Sequence, residues 1–151
     1  MILKSKNYED TYQIASRLAK YIKGGDIILL NGDLGAGKTT FVKGFAKAIG
    51  IHEVVNSPTF NLLRTYQAQH YCMVHMDAYR LEGESFAELD DYLHNENVIF
   101  IEWAECLANQ DLLKNHLSIT IKYKNKNQRI FTFVANGKRY ENLLREFTEN
   151  E

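Results

Sequence analysis

The sequence predicts an α/β fold in three layers around a mixed β-sheet. Two short apolar runs, Ile27 to Leu30 and Val98 to Ile101, read as strands buried on both faces, the pattern of parallel strands. Helical periodicities alternate with them along the chain, and at least one pair of adjacent strands has the spacing of a hairpin. Parallel strands need crossover helices and hairpins are antiparallel, so the sheet must be mixed.

Each element has its own signal. Asn7, with Asp10 three residues on, marks a helix start. Ile14, Ala15, Leu18, Ala19 and Ile22 then recur at helical spacing as far as Gly24-Gly25. Asp26 to Asn31 is the first buried strand, followed by a glycine-rich stretch. A second helix shows at Phe41, Val42, Phe45, Ala46 and Ile49 and is closed by Gly50. Asn61 to Tyr66 and Tyr71 to Met76 read as strands joined by the polar turn Gln67-Ala68-Gln69-His70. Phe86, Leu89 and Leu93 suggest a short helix before the buried strand Val98 to Ile101. Leu117, Ile119 and Ile121 alternate with polar residues, and Arg129 to Ala135 pairs back across Lys124 to Gln128. Tyr140, Leu143, Leu144 and Phe147 predict a terminal helix.

Composition narrows the class. The chain has 151 residues, within the range of one domain. Hydrophobic residues make up 45% and charged residues 25%, which excludes a disordered tail or a fibre. Its 18 basic and 19 acidic residues leave a formal charge of −1, so no global field draws it to nucleic acid or membrane. The two cysteines, Cys72 and Cys106, and the absence of any long apolar run point to a cytoplasmic protein. The histidines have no metal-ligand spacing, and Cys72 and His75 fall on opposite strand faces, so zinc is not expected.

Gly32-Asp33-Leu34-Gly35-Ala36-Gly37-Lys38-Thr39 fits the phosphate-binding P-loop pattern. It follows a buried strand and opens a helix, as that loop requires. The whole chain, 1–151, is therefore expected to be a single P-loop NTPase domain. Gly35, Ala36, Gly37, Lys38, Thr39 and Thr40 are expected to hold the phosphates, with Lys38 supplying charge and Thr39 reaching Mg²⁺. Acids facing such a loop stand at the ends of neighbouring strands. Glu102 and Asp77 are placed there, and in a hydrolase Asp77 is expected to position or polarise the attacking water, directly or through the metal shell. Guanine-reading motifs and an arginine-rich lid are missing. Mg²⁺-dependent ATP hydrolysis is the leading reading; a small-molecule kinase and a nucleotide-gated binding module are the alternatives. The arginines Arg64, Arg80 and Arg129 stand in no motif that commits them to a γ-phosphate. Weak activity alone, stimulated by a partner, is therefore expected.

The ordered set of the P-loop at 32–40, Ser57-Pro58-Thr59-Phe60, His75 to Leu81 and Ile101-Glu102-Trp103 resembles the TsaE family, formerly YjeE. These are small bacterial ATPases of tRNA threonylcarbamoyladenosine biosynthesis. The resemblance implies ATP and Mg²⁺ as cofactors and TsaB and TsaD as partners. tRNAs reading ANN codons would be met only through that complex, and no membrane partner is implied. It also implies that Thr39 and Glu102 are the magnesium ligands, and that Asp77 is a second functional acid. Thr59 would lie in a switch-like loop reporting the γ-phosphate, and Thr11, Trp103 and Arg129 beside the nucleotide.

Overall fold

The computed structural model describes residues 1–58 and 61–150. In chain order the elements are β1 (Ile2–Ser5), α1 (Tyr8–Ala19), β2 (Ile27–Asn31), α2 (Lys38–Ala48), β3 (Leu63–Gln67), β4 (Cys72–Asp77), α3 (Leu89–Tyr92), β5 (Asn97–Glu102), β6 (His116–Tyr123), β7 (Arg129–Asn136) and α4 (Lys138–Glu149). Short 3-10 turns at Tyr79–Leu81, Ala104–Cys106 and Gln110–Leu113 lie between them.

The strands form a seven-stranded sheet in the order β1-β7-β6-β2-β5-β4-β3. β6, β2, β5 and β4 are parallel neighbours. The β1–β7, β6–β7 and β3–β4 pairings are antiparallel, so the sheet is mixed as expected. The layers on its two faces are unequal. Val98 and Phe100 of β5 join a core with α1, α2 and α4, where Phe45 meets Phe100 edge-on at 4.8 Å and Phe133 meets Phe147 at 5.8 Å. Ile99 and Ile101, one residue out of phase, face Leu89, Leu107 and Leu113 of the short helical segments. Full burial of a side chain such as Phe45 stabilises the fold by about 1.5–3 kcal/mol.

Three expectations need correction. α1 stops at Ala19, a turn short of Gly24-Gly25. The Lys20 and Tyr21 amides donate to Arg17 and Leu18, tightening the last turn into 3-10 geometry, and Ile22 is buried beyond the helix. The helix around Phe86 shrinks to Leu89–Tyr92, with Phe86 pinned outside it by two hydrogen bonds to the Asn109 side chain. β1 is a strand that the sequence reading does not contain. No helix among the described residues is long and apolar enough to cross a membrane.

Parallel register brings the carboxyl ends of β2, β5 and β4 side by side. Leu30 stands opposite Glu102, and Glu102 opposite Asp77. Side chains alternate across a strand. Asp77 therefore shares a face with His75 and Met73, and Glu102 with Phe100 and Val98, the face covered by α2.

Candidate functional site

The loop between β2 and α2 is shaped by its glycines. Gly32 has φ +152°, and a Cβ there would lie 2.6 Å from the Ile121 carbonyl oxygen of β6. Gly37 is the N-cap of α2 with left-handed backbone at φ 112° and no side-chain cap. The first-turn amides of α2 consequently keep donors free of helical partners, and the helix dipole adds positive potential there. Such a loop-to-helix junction is an anion site.

Lys38 is buried at 6% exposure. Its Nζ donates to the Gly32 carbonyl at 2.7 Å, lies 3.8 Å from Glu102 Oε1, and sits 4.6 Å above the Trp103 ring. Glu102 is 4% exposed, and its Oε2 accepts from His75 Nε2 at 2.6 Å. A buried carboxylate is costly unless paired, and His75 and Lys38 supply the pairing. Asp77 is 7% exposed; its Oδ1 accepts from the Tyr79 amide at 3.0 Å, and the Ala78 amide donates to the Glu102 carbonyl at 2.9 Å. These bonds fix both acids on rigid strand ends rather than on loops.

One cleft of about 380 Å³ gathers the P-loop residues Gly35, Gly37, Lys38, Thr39 and Thr40 with Ser57, Asp77, Glu102 and Trp103. The Glu102 carboxylate and the Thr39 hydroxyl are both oxygen donors. That set suits a hard cation such as Mg²⁺, which takes one or two carboxylates and fills its remaining positions with phosphate oxygens and water. Trp103 has left-handed backbone at φ 58°, a conformation costing on the order of 1–3 kcal/mol for a non-glycine residue. Its ring is held against Lys38 on one side and edge-on to Tyr79 at 5.2 Å.

A second cleft of about 180 Å³ adjoins the first and shares Gly37 and Thr40 with it. Thr11, Ala36 and Arg129 line it, together with Tyr8 and Asn127. The sequence-predicted residues are thus brought together in two adjoining clefts. Thr59 lies outside the described residues. Arg129 is not splayed into solvent with the lysines of its turn. Its Nε donates to the Ala36 carbonyl at 2.8 Å, and its Nη1 to the Asn125, Lys126 and Gln128 carbonyls. Two residues escaped sequence reasoning. His75 is fully buried against Glu102, and Tyr123 donates its hydroxyl to the Gly35 carbonyl at 2.6 Å. For His75 a signal was present: in neighbouring parallel strands ending in Asp77 and Glu102, the residue two before Asp77 shares the face of both acids.

A family profile described as threonylcarbamoyl adenosine biosynthesis protein TsaE matches residues 5–131. The chain is 44% identical over 149 residues to the Bacillus subtilis tRNA threonylcarbamoyladenosine biosynthesis protein TsaE, covering 98% of this chain and 94% of that one. It is 39% identical to the Rickettsia conorii protein of the same description, covering 86% and 75%. The crystal structure of Bacillus subtilis YdiB superposes with a TM-score of 0.86 at 39% identity, over 99% of this chain and 95% of that one.

Proposed function

The chain belongs to the TsaE family, and from that premise we propose that it binds and hydrolyses Mg²⁺-ATP for tRNA threonylcarbamoyladenosine biosynthesis, in complex with TsaB and TsaD. The observation that carries this reading is the convergence of Lys38, Thr39, Asp77 and Glu102 on one cleft at the carboxyl ends of parallel strands. The loop amides and the first turn of α2 bind the phosphates, and the Lys38 ammonium leaves the Gly32 carbonyl to meet the β- and γ-phosphates. Thr39 and Glu102 are the residues that would hold Mg²⁺, which when bound would supply neutralising charge for the phosphates. His75 keeps the Glu102 carboxylate in place. Asp77, fixed by the Tyr79 amide, orients the attacking water. The nucleoside end lies in the second cleft, beside Thr11 and Arg129. Positioning and charge stabilisation supply most of the rate.

The arrangement also supports low activity in isolation. Lys38 is the one cation among the described residues lining the phosphate cleft. The Arg129 guanidinium is engaged with carbonyls, and that of Arg64 lies 5.7 Å over the Tyr66 ring. We attribute the further cation or ordering contact to a partner.

The test is reconstitution of threonylcarbamoyladenosine on a tRNA reading ANN codons, with TsaB, TsaD, ATP and threonylcarbamoyl donor. Sustained modification should require this chain and should not be supported by Lys38→Ala. Equal modification without the chain overturns the proposal. A soluble metabolite that becomes phosphorylated in its place would favour a kinase.

A further inference from the structure

We propose that Tyr123 is a positioning residue for phosphate binding: with Arg129 it forms a cross-strand clasp that sets the P-loop peptide planes before nucleotide arrives. The inference rests on the nucleotide reading above.

Tyr123 ends β6 and Arg129 begins β7, and the two stand directly opposite in the antiparallel register. The Arg129 guanidinium lies 4.1 Å from the Tyr123 ring centroid, so each side chain limits the other's motion. Both then reach across to consecutive carbonyls of the loop. The Tyr123 hydroxyl donates to Gly35 O at 2.6 Å, and Arg129 Nε donates to Ala36 O at 2.8 Å.

Those two bonds fix two peptide units. In a trans peptide the carbonyl and the following N–H point in opposite directions, and the described chain has no cis bond. The Gly35–Ala36 unit is held at both ends, by Tyr123 on its oxygen and by the Asp33 carbonyl, 2.9 Å from the Ala36 amide, on its nitrogen. In the Ala36–Gly37 unit, tying the oxygen to Arg129 turns the Gly37 N–H away from the hairpin. Sheet order places the hairpin on one side of β2 and the strands carrying Glu102 and Asp77 on the other. The Gly37 amide is therefore kept away from the hairpin and open to an anion.

Glycines make this clasp necessary. Gly35 and Gly37 carry φ of 79° and 112°, and a glycine loop without external ties samples many such conformations. Ordering it at the moment of binding would subtract from affinity, whereas an ordered loop keeps it. The close fit leaves little slack, since a Cβ on Gly35 would come within 3.0 Å of the Tyr123 hydroxyl.

The test compares wild type with Tyr123→Phe and Tyr123→Ala, titrated calorimetrically with Mg²⁺-ATP and with inorganic tripolyphosphate. Tyr123→Phe removes one hydrogen bond and keeps the ring under Arg129. It should weaken both ligands by the same factor, roughly three- to tenfold, the usual worth of one hydrogen bond. Tyr123→Ala also releases Arg129 and should weaken both further. KM for ATP should rise with kcat kept at saturation, because Asp77 and Glu102 are untouched. Unchanged affinity for both ligands in Tyr123→Phe overturns the inference, even if its melting temperature falls. So does a loss confined to ATP, which would mean that Tyr123 touches the nucleoside. If wild type itself binds neither ligand, the nucleotide reading fails and this inference with it.

Discussion

Substituting Glu102 by glutamine separates its structural work from its chemical work. The side chain is almost fully buried, and its Oε2 takes a 2.6 Å hydrogen bond from His75. Glutamine has nearly the same shape and an oxygen that can accept the same bond. What is lost is the charge. A hydrogen bond to a charged group contributes about 1.5–3 kcal/mol and a neutral one about 0.5–1.5 kcal/mol, so the His75 contact weakens by about 1–1.5 kcal/mol. Lys38, itself buried, loses its neighbouring charge at 3.8 Å and keeps its 2.7 Å bond to the Gly32 carbonyl, so the unpaired ammonium adds a further cost of at least about 1 kcal/mol. For a chain of this size about 1 kcal/mol moves Tm by about 2–4 °C, so Glu102→Gln should still fold but melt on the order of 5–10 °C lower. Its effect on function should be much larger. The variant removes the carboxylate from the proposed Mg²⁺ donor set, which otherwise offers the Thr39 hydroxyl. Metal assistance of this kind contributes several kcal/mol to the transition state, so partner-stimulated turnover should fall by at least about a hundredfold. Calorimetric titration with ATP, with and without Mg²⁺, reads the binding half: Mg²⁺ should strengthen ATP binding by wild type and have almost no effect on the variant. A folded Glu102→Gln protein that keeps both the Mg²⁺ enhancement and the turnover would refute this reasoning and transfer the metal to Asp77.

Other outcomes follow from the same geometry. Lys38→Ala removes the one cation that lines the phosphate cleft among the described residues and should lower ATP affinity by about a hundredfold or more, measured by calorimetry on a protein whose circular dichroism is unchanged. Asp77→Asn keeps a side-chain oxygen able to accept from the Tyr79 amide; it should bind ATP nearly as well as wild type while single-turnover hydrolysis falls by at least about a hundredfold. Burial pushes the Tyr71 phenol up to about 12 from its ordinary 10, with Asp26 adding a smaller push. The folded chain therefore holds that proton more tightly than the unfolded chain. Its contribution to stability is full below about pH 10 and is lost as pH rises through about 12. Thermal melts from pH 9 to 12 should show an alkaline decline that is shallower in Tyr71→Phe.

The parts of this molecule that were legible in its sequence are those with local signals. The P-loop announces itself because glycines are required where the backbone turns left-handed and approaches β6. Asp77 and Glu102 could be placed because each directly ends an apolar strand, and in a parallel sheet such ends gather on one edge. What was not legible depends on partners distant in the chain. β1 is four residues long, with Ile2 mostly exposed, and exists as a strand because β7 pairs with it from the far end of the sequence. The inward turn of Arg129 needs the sheet order, since only a hairpin beside β2 can reach the loop that follows β2. Among the lysines of its own turn it reads as a solvated charge. Trp103 gave no sign of its left-handed backbone, since a non-glycine residue at that φ has no marker in the sequence.

Steady-state phosphate release tests most directly whether the chain is a P-loop ATPase whose site is completed by other proteins. The chain should be assayed alone and with the TsaB–TsaD pair at saturating Mg²⁺-ATP. Slow release alone, rising at least tenfold with the pair and disappearing in Lys38→Ala, is the predicted result. Turnover of about 1–100 s⁻¹ by the isolated chain, unaffected by the pair, would contradict it.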